Sequence, residues 1–438
     1  MAKNEQSPEV NQPIWFDGKS INEALFCDDF LNRHKIIYTN GAFFTPDGRV
    51  TTDLPLRSEI FDELRCCAVS NIPRKISNIV ELMKLVALVE DFPPEPDRIH
   101  LSNGTLFLDG KFVEGKPEIV RNRFPVAYNP GASKPILWLK FLDGLLYPED
   151  IPTLQEYLGY CLLPTTRAQK MLLIIGRGGE GKSRIGLVMR AILGDSMNTT
   201  SIQKVENNRF SRADLEHKLL MVDDDMDLSA LPKTNYIKSI ITSECKMDLE
   251  RKGVQSYQSL LYVRFLCFGN GALTALHDQS DGFFRRQIVL TTRDRPADRV
   301  DDPFLAEKLA AEREGIFLWC LEGLHRLIAQ NYRFTISPKA QENVETVRRG
   351  SNNVVEFLQS EGYIRFRADY EASSKSIYKA YKVWCEDNVR KPLSANRLSS
   401  ELTQNAAVYN VEPTNNIYSG GRRVRGFVGI EVVARPFG

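Results

Sequence analysis

The spacing of apolar residues predicts an α-rich first region. Residues 57–67 and 76–90 place Ile, Leu and Val at intervals of three and four, the period of one helix face. Before them, residues 34–38 and 42–45 indicate two strands joined at Asn40-Gly41. Prolines 93, 94 and 96 then end any helix, because each lacks a backbone N–H and restricts the preceding residue. We therefore expect an N-terminal α+β region over residues 1–98.

The next region, residues 99–165, begins with strands and ends with helices. Residues 99–113 contain turn pairs at Asn103-Gly104 and Asp109-Gly110, the spacing of short hairpins. Residues 136–146 and 151–163 carry aliphatic residues at helical intervals. This region leads directly into the most informative segment of the chain.

A buried strand followed by a glycine-rich loop is the clearest motif. Residues 171–175 are all apolar, as is typical of a parallel strand covered on both faces, and residues 184–193 favour a helix. The loop between them has the form G-x-x-x-x-G-K-S and consists of Gly176, Arg177, Gly178, Gly179, Glu180, Gly181, Lys182 and Ser183. In such a loop backbone N–H groups surround phosphate oxygens, the lysine reaches the β- and γ-phosphates, and the serine hydroxyl binds Mg²⁺. The motif predicts ATP and Mg²⁺ as cofactors; a glycine-rich turn without a ligand is the alternative.

A second apolar strand, residues 218–222, ends in three aspartates. Strand ends of a parallel sheet share one edge, so these carboxylates are expected beside the glycine-rich loop. One acid of the pair would hold Mg²⁺, together with Ser183, and its neighbour would orient the attacking water. The register is open by one residue: Asp224 belongs to the pair in either register and is the first candidate for the Mg²⁺ site, and Asp225 is the second candidate acid. An acidic loop that caps a helix is the alternative interpretation.

Two further strands bring polar groups to the same core. Residues 260–268 run into Asn270, whose amide can hold a phosphate or a water, although Asn-Gly is also a common turn. Arg285 and Arg286 precede a strand at residues 287–291. They are candidates for a catalytic arginine, with surface ion pairs as the alternative. We place the whole ATPase core at residues 166–335.

The C-terminal residues 350–438 predict two helices and a hairpin. Residues 376–388 and 394–405 follow serine caps, and residues 407–418 and 422–433 indicate strands across Gly420-Gly421. Helix, helix and hairpin resemble a winged-helix module. Arg422, Arg423 and Arg425 at the turn are candidates for DNA contact, and a charged edge that protects the strand is the alternative.

Length and composition favour a globular protein of several domains. The chain has 438 residues, which at ~150 residues per domain suggests about three domains. Hydrophobic residues make up 42%, and 57 Lys and Arg oppose 56 Asp and Glu, so DNA binding must be local rather than a property of the whole surface. No apolar run reaches the ~18 residues of a membrane span, and the N-terminus lacks a secretory pattern, so we expect no membrane partner and a cytoplasmic location. The eight cysteines and five histidines lack the spacing of a disulfide framework or a zinc site.

The order of these motifs resembles that of superfamily 3 DNA helicases. Residues 154–160, 250–253 and 280–286 narrow the resemblance to phage and plasmid replication helicases related to the poxvirus-type primase–helicase family. The resemblance covers residues 99–300 well, and within it residues 99–165 correspond to the pre-ATPase region. It implies an α/β fold: a P-loop AAA+-like ATPase core with an α-rich N-terminal region and a C-terminal winged-helix-like domain.

The same resemblance implies an activity and a role for each motif. It implies an ATP-dependent helicase, a 3′ to 5′ ring translocase, in replication initiation of a phage, plasmid or other mobile element, assembled as a hexamer. In that family, Lys182 and Ser183 correspond to the end of the phosphate-binding motif, and Asp224 and Asp225 correspond to the acidic motif. Asn270 corresponds to the sensor asparagine, and Arg285 or Arg286 corresponds to an arginine finger that acts on ATP bound by the neighbouring subunit. Arg251 and Lys252 fall in the segment that forms a DNA-gripping hairpin. Glu180 departs from the family, which often has asparagine there, and brings negative charge close to the phosphates, where it would slow turnover or alter nucleotide preference.

Two other functions fit the same motifs. One is a P-loop small-molecule phosphotransferase, and the other is an ATP-gated DNA-binding assembly factor that does not unwind DNA. For the helicase, the expected partners are single-stranded and forked DNA and further copies of the chain, with a primase or initiator protein as an additional partner left open.

Overall fold

Helices and strands alternate along the chain in the computed structural model, which describes residues 13–50, 52–67, 70–90, 93–116, 118–227, 234–253, 255–271, 281–296, 300–351, 353–360, 362–388, 390 and 392–433. The helices are α1 Glu23–His34, α2 Leu54–Leu64, α3 Ile72–Val86, α4 Ile136–Leu145, α5 Ile151–Tyr160, α6 Ser183–Leu193, α7 Ile202–Asn207, α8 Arg209–Ala213, α9 Asn235–Ile241, α10 Asp281–Phe284, α11 Leu305–Ala311, α12 Arg313–Ala329, α13 Pro338–Ser351, α14 Asn353–Leu358, α15 Ser374–Asp387, α16 Ala395–Gln404 and α17 Ala406–Tyr409. The strands are β1 Ile37–Thr39, β2 Ala42–Thr45, β3 Gly48–Arg49, β4 Arg98–Leu101, β5 Gly104–Phe107, β6 Phe112–Glu114, β7 Met171–Gly176, β8 Met197–Thr199, β9 Leu220–Met226, β10 Met247–Leu249, β11 Tyr257–Ser259, β12 Arg264–Asn270, β13 Gln287–Thr291, β14 Ile364–Ser373, β15 Glu412–Ser419 and β16 Arg422–Val432.

A parallel sheet of five strands, in the order β13-β7-β12-β9-β8, occupies the middle of the chain. Alternate residues of these strands pack against two helical layers: α4, α5, α6 and α12 cover one face, and α7, α9, α10 and α13 cover the other. All six residues of β7 are buried. This confirms the expectation of a mixed α/β fold with a parallel sheet, because a strand covered on both faces needs a continuous apolar run.

Residues 99–165 share their core with the sheet. The three-stranded sheet β4-β5-β6 and helices α4 and α5 contribute to the same apolar cluster as α6 and α12. Helices α11 and α12 follow one another along the chain and are separated only by Glu312. Its carboxylate accepts hydrogen bonds from the N–H groups of Leu137 and Trp138, at 3.1 and 2.9 Å, and so caps the first turn of α4.

Helices α5 and α12 cross at very close range because glycines face backbone at the contact. A Cβ at Gly159 would lie 2.3 Å from the carbonyl oxygen of Cys320, and a Cβ at Gly323 would lie 2.3 Å from the carbonyl oxygen of Gln155. No side chain fits between the two backbones at these points.

We therefore expect Gly159→Ala to destabilise the protein by about 1–3 kcal/mol, since the helices must separate to admit the methyl group. Gly144→Ala is the matched control: Gly144 lies in α4, and a Cβ added there would have no other atom within 4 Å, so alanine should stabilise the helix by about 0.5–1 kcal/mol. Urea denaturation of both variants measures the free energies of unfolding. Equal stabilities would contradict the close helix crossing.

The N-terminal region has a core of its own, formed by α1, α2, α3 and the sheet β1-β2-β3. The expected hairpin at Asn40-Gly41 is present, but the strand expected from residue 34 begins at Ile37. His34 instead ends α1, a helix that the sequence analysis missed. Asn22 caps this helix by accepting from the N–H of Leu25 at 3.2 Å, and Phe26 and Phe30 bury its inner face.

A separate apolar cluster joins α14, α15 and α16 to the antiparallel sheet β14-β16-β15 at the C-terminal end. The helices expected at residues 376–388 and 394–405 correspond to α15 and α16, each capped by the serine before it. The strand expected over residues 407–418 is wrong at its start, because residues 406–409 form α17 and β15 begins at Glu412. No helix within the described residues is both long and apolar enough to cross a membrane.

Candidate active site

The candidate site lies where neighbouring strands of the parallel sheet send their connections in opposite directions. From β7 the chain passes through α6 on one face of the sheet to the edge strand β8, whereas from β12 it passes through α10 on the other face to β13. Such a divergence opens a crevice outside the carboxyl ends of the two strands, the usual ligand position in parallel sheets. The last residues of these strands, Gly176 and Asn270, are directly paired there.

The glycine-rich loop fills this crevice and turns its amides inward. Gly178, Gly179 and Gly181 have φ angles of 108°, 80° and 98°, a region that residues with a Cβ rarely adopt. This backbone directs the N–H groups of Arg177 and Gly178 toward a common point, which makes a concave site for an anion.

The carboxylate of Glu180 occupies that anion site. It accepts hydrogen bonds from the N–H groups of Arg177 and Gly178, the latter at 2.9 and 3.1 Å, and from Lys182 Nζ at 2.8 Å. Glu180 and Lys182 are only 3% and 6% exposed. Burial acts to raise the pKa of Glu180, but the hydrogen bond from Lys182 and those from the backbone outweigh it, so the pKa lies below its ordinary value. An internal carboxylate therefore stands where the motif would place a phosphate.

Lys182 connects the loop to the neighbouring strand. Its Nζ donates to Asn270 Oδ1 at 2.9 Å, and Asn270 Nδ2 donates to Asp225 Oδ1 at 3.4 Å. Three side chains that were selected separately from the sequence thus form one chain of contacts at the carboxyl edge of the sheet.

A β-bulge in β9 determines where the aspartates point. Cys267 pairs with Asp223 but Gly269 pairs with Met226, so β9 holds one residue more than β12 over this interval. Bulges of this kind redirect side chains next to active sites. As a result Asp224 and Asp225 are both exposed at the sheet edge, whereas Asp223 is buried and accepts from the N–H of Ile202 at 2.8 Å. Burial raises the pKa of Asp223, which has a structural role here.

The cleft beside the loop has a volume of about 580 Å³. Its lining includes Gly179, Gly181, Lys182, Ser183, Arg184, Asp224, Asn270, Arg295 and Asp302. These groups suit a triphosphate and Mg²⁺: the backbone amides and Lys182 already hold one carboxylate, and a hydroxyl and a carboxylate supply the oxygen ligands that Mg²⁺ prefers.

Arg295 is a cleft residue that the sequence analysis missed. It follows β13 and therefore reaches the carboxyl edge of the sheet, where its Nη1 donates to the carbonyl oxygen of Gly179 at 3.2 Å and its Nη2 pairs with Asp301 at 3.0 Å. The sequence shows only that Arg293 and Arg295 come just after a predicted strand, and the place of that strand beside β7 comes from the structure.

Arg285 and Arg286 lie at the opposite edge of the sheet. They immediately precede β13, whose first residue, Gln287, pairs with Met171 at the start of β7. The glycine-rich loop begins five residues later along β7, roughly 17 Å away at the usual rise of a strand. Neither arginine is brought to the cleft of its own subunit. Arg285 is exposed, and Arg286 is partly buried, with a pKa lowered by burial and then by Arg285.

The expected DNA-binding residues lie on two hairpins. Arg251 and Lys252 follow β10 in the hairpin β10-β11. Lys252 is exposed, whereas Arg251 is held by Glu216 at 2.8 Å and by Tyr257 at 2.8 Å. The second hairpin, β15-β16, carries Arg422, Arg423 and Arg425, all exposed at or near its turn.

Comparison with known proteins finds a sequence family that matches part of the chain and solved structures that share its fold. Residues 174–286 match a family of unknown function, DUF5906, over less than half of the chain. No curated protein matches the chain. The fold resembles the apo C-terminal region of NrS-1, residues 305–718, with a TM-score of 0.55 and 11% identity over 94% of this chain and 100% of that one.

Two A-form apo structures of the same NrS-1 region give TM-scores of 0.51. One is 11% identical over 93% of this chain and 99% of that chain, and the other is 12% identical over 92% and 98%. At such low identity the likeness shows a shared fold along nearly the whole chain. The chemistry must therefore be argued from the residues of this chain.

Proposed function

We propose that this chain is an ATP-dependent DNA helicase that acts in the replication of a mobile genetic element. The observation that carries the proposal is the convergence of Lys182, Ser183, Asp224 and Asn270 on one cleft at the point where the sheet connections diverge. The core is then a P-loop, AAA+-like ATPase, and ATP with Mg²⁺ would supply the phosphoryl group whose cleavage drives the motor.

Each residue of the cleft would have a separate role in phosphoryl transfer. The amides of the loop and Lys182 would hold the phosphates and offset their charge, and Ser183 Oγ and the Asp224 carboxylate would hold the cation. Asp225 and Asn270, which contact one another, stand where an attacking water would be oriented. Arg295 contacts the loop itself and would sense its conformation.

The C-terminal unit supports a DNA-binding role. Its element order, α14-β14-α15-α16-α17-β15-β16, fits a winged-helix module, and the hairpin β15-β16 exposes Arg422, Arg423 and Arg425. None of these arginines forms an ion pair within the described residues, so each can meet a backbone phosphate. The neighbouring Tyr418, 72% exposed, offers a ring on which a base can stack.

Hydrolysis and unwinding assays distinguish this function from its alternatives. We expect single-stranded DNA to stimulate ATP hydrolysis several-fold and a forked duplex to be separated only when ATP is hydrolysed. Stimulation without strand separation would favour an ATP-gated assembly factor. Hydrolysis indifferent to DNA, together with transfer of phosphate to a small molecule, would favour a phosphotransferase.

The position of Glu180 yields a prediction about nucleotide affinity. A triphosphate can enter the loop only when the Glu180 carboxylate leaves, and a carboxylate held by charged hydrogen bonds is costly to remove. We expect Glu180→Gln to tighten ADP binding by about tenfold or more, because an amide competes less well for Lys182 and the backbone N–H groups.

Isothermal titration calorimetry with Mg-ADP measures this change. Glu81→Gln, which alters an exposed carboxylate on α3 paired with Lys84, is the control and should leave the affinity unchanged. Weaker binding by Glu180→Gln would mean that this carboxylate assists the bound nucleotide and does not compete with it.

A further inference from the structure

A second cavity lies at the amino edge of the parallel sheet, on the side opposite the candidate active site. It has a volume of about 310 Å³, room for about ten water molecules at their liquid volume. Three parts of the chain meet there: residues 47–49 of the N-terminal region, Lys116 with residues 121–125, and residues 194–196 and 216–218, which precede β8 and β9.

Hydrogen bonds between these parts fix the walls of the cavity. Asn122 Nδ2 donates to Ser196 Oγ at 3.0 Å and to the carbonyl oxygen of His217 at 2.8 Å. Arg123 Nη1 donates to the carbonyl oxygen of Leu101 at 2.8 Å, and its Nε donates to that of Pro46. The cavity is therefore a built feature of the fold and not a gap between loose segments.

Basic side chains predominate in its lining. They are Arg49, Lys116, Arg121, Arg123 and Lys218, with Arg251 behind Glu216. The acidic side chains that line it are Asp47, Asp195 and Glu216, and Glu118 lies nearby.

Two of these acids are already paired. Asp47 binds Lys116 at 2.6 Å, and Glu216 binds Arg251 at 2.8 Å. Five basic side chains thus line the cavity against three acidic ones, and the lining carries a net positive charge.

The protonation of His217 reflects both its burial and the positive charge around it. It is 6% exposed, and Arg121 Nη1 donates to its Nδ1 at 2.9 Å, which requires a neutral ring, since an imidazolium has no lone pair to offer. Burial, followed by the charges of Arg121 and Arg49, lowers its pKa well below the ordinary value. Burial, followed by Arg251, also lowers the pKa of Arg49.

Two arginines that line the cavity each carry an unsatisfied donor. Arg49 Nε and Arg123 Nη2 have no hydrogen-bond partner within the described residues, and both atoms are closed off from water in this structure. Buried guanidinium donors are normally satisfied, so a small shift of either side chain toward the open volume would gain an acceptor bound there.

We propose that this cavity binds a phosphate group, supplied either by DNA or by a soluble phosphate compound. Arginines match the oxygens of phosphate in geometry as well as in charge. The site is distinct from the nucleotide cleft, because it lies at the other edge of the sheet and shares no lining residue with it.

Pyrophosphate binding to the full chain tests the proposal. Lys182→Ala is included in every sample to weaken binding at the nucleotide cleft. We expect saturable binding by calorimetry that falls about tenfold with Arg49→Gln and about tenfold with Lys218→Gln, the effect of losing one charged hydrogen bond. Arg65→Gln, which changes an exposed arginine paired with Asp62, should leave it unchanged.

A second arm identifies the source of the phosphate. If DNA is the source, a short single-stranded oligonucleotide displaces pyrophosphate, and Arg49→Gln lowers the salt dependence of its binding by about one counterion. If a soluble compound is the source, Arg49→Gln weakens pyrophosphate but not the oligonucleotide. Either result supports the site.

Pyrophosphate that does not bind, or that binds equally to both cavity variants and the control, would overturn the proposal. Should Arg49→Gln fail to fold, Lys218→Gln, which removes another charge of the lining, gives the same comparison. In addition, at a given concentration pyrophosphate should raise the melting temperature of the Lys182→Ala protein more than that of its Lys218→Gln double variant.

Discussion

Replacing Lys182 with alanine should lower the rate of ATP hydrolysis by about 100-fold or more, the usual effect of removing a group that stabilises transition-state charge in a closed site. Lys182 is the cation at the centre of the candidate site, within 3 Å of both Glu180 and Asn270. Without its ammonium, the charge that develops on the transferred phosphoryl group would lose the side-chain cation that the loop places beside it. Steady-state phosphate release measures the loss.

A control separates this effect from a loss of fold. Lys140→Ala changes an exposed lysine on α4 and should hydrolyse ATP at the rate of the unmodified chain. Circular dichroism should show equal helix content for both variants. A Lys182→Ala protein that turns over ATP normally would remove the nucleotide site from the proposed function.

The parts of the fold that could be predicted are those encoded by local sequence. An apolar run, a glycine-rich loop and an amphipathic helix follow one another between residues 171 and 193, and each depends on neighbouring residues alone. Asp224 and Asn270 could be assigned because the ends of parallel strands meet at one edge. The sheet explains why residues so distant in sequence become neighbours.

The parts that could not be predicted depend on contacts between distant residues. The short edge strand β8 has three residues and little apolar pattern, so pairing with β9 defines it. Arg251 was selected for an exposed hairpin, yet Glu216, a buried carboxylate 35 residues earlier, holds it. Arg295 reaches the cleft only because β13 lies beside β7.

The two cavities lie at opposite edges of the parallel sheet and differ in the charge of their linings. At the carboxyl edge, an internal carboxylate already fills the anion site, and cations and acids balance closely. At the amino edge, arginines and a neutral histidine surround an open volume. The same edge carries Arg285, just before the edge strand β13, so basic groups that lie away from the candidate active site collect at the amino ends of the strands.

That placement makes a strong prediction about assembly. Arg285 is exposed and roughly 17 Å, the length of β7, from the loop of its own chain, so a catalytic role for it would require a nucleotide held by a neighbouring subunit. A head-to-tail ring joins two different surfaces of each subunit. The proposed ring would set the amino edge of the sheet, which carries Arg285, against the carboxyl edge of the next subunit. We expect Arg285→Ala to lower ATP hydrolysis by about 1,000-fold, the lower end of the effect of an arginine finger.

Mixing two inactive variants tests whether the arginine acts across the interface. Lys182→Ala subunits supply an intact Arg285, and Arg285→Ala subunits supply an intact Lys182. In a random equimolar ring about one interface in four combines both intact groups, so hydrolysis should return to about a quarter of the unmodified rate. Arg286→Ala, whose side chain is partly buried, serves as the comparison and should stay closer to full activity. If mixing restores nothing while each protein still assembles, Arg285 does not act in the neighbouring site and the ring arrangement is wrong.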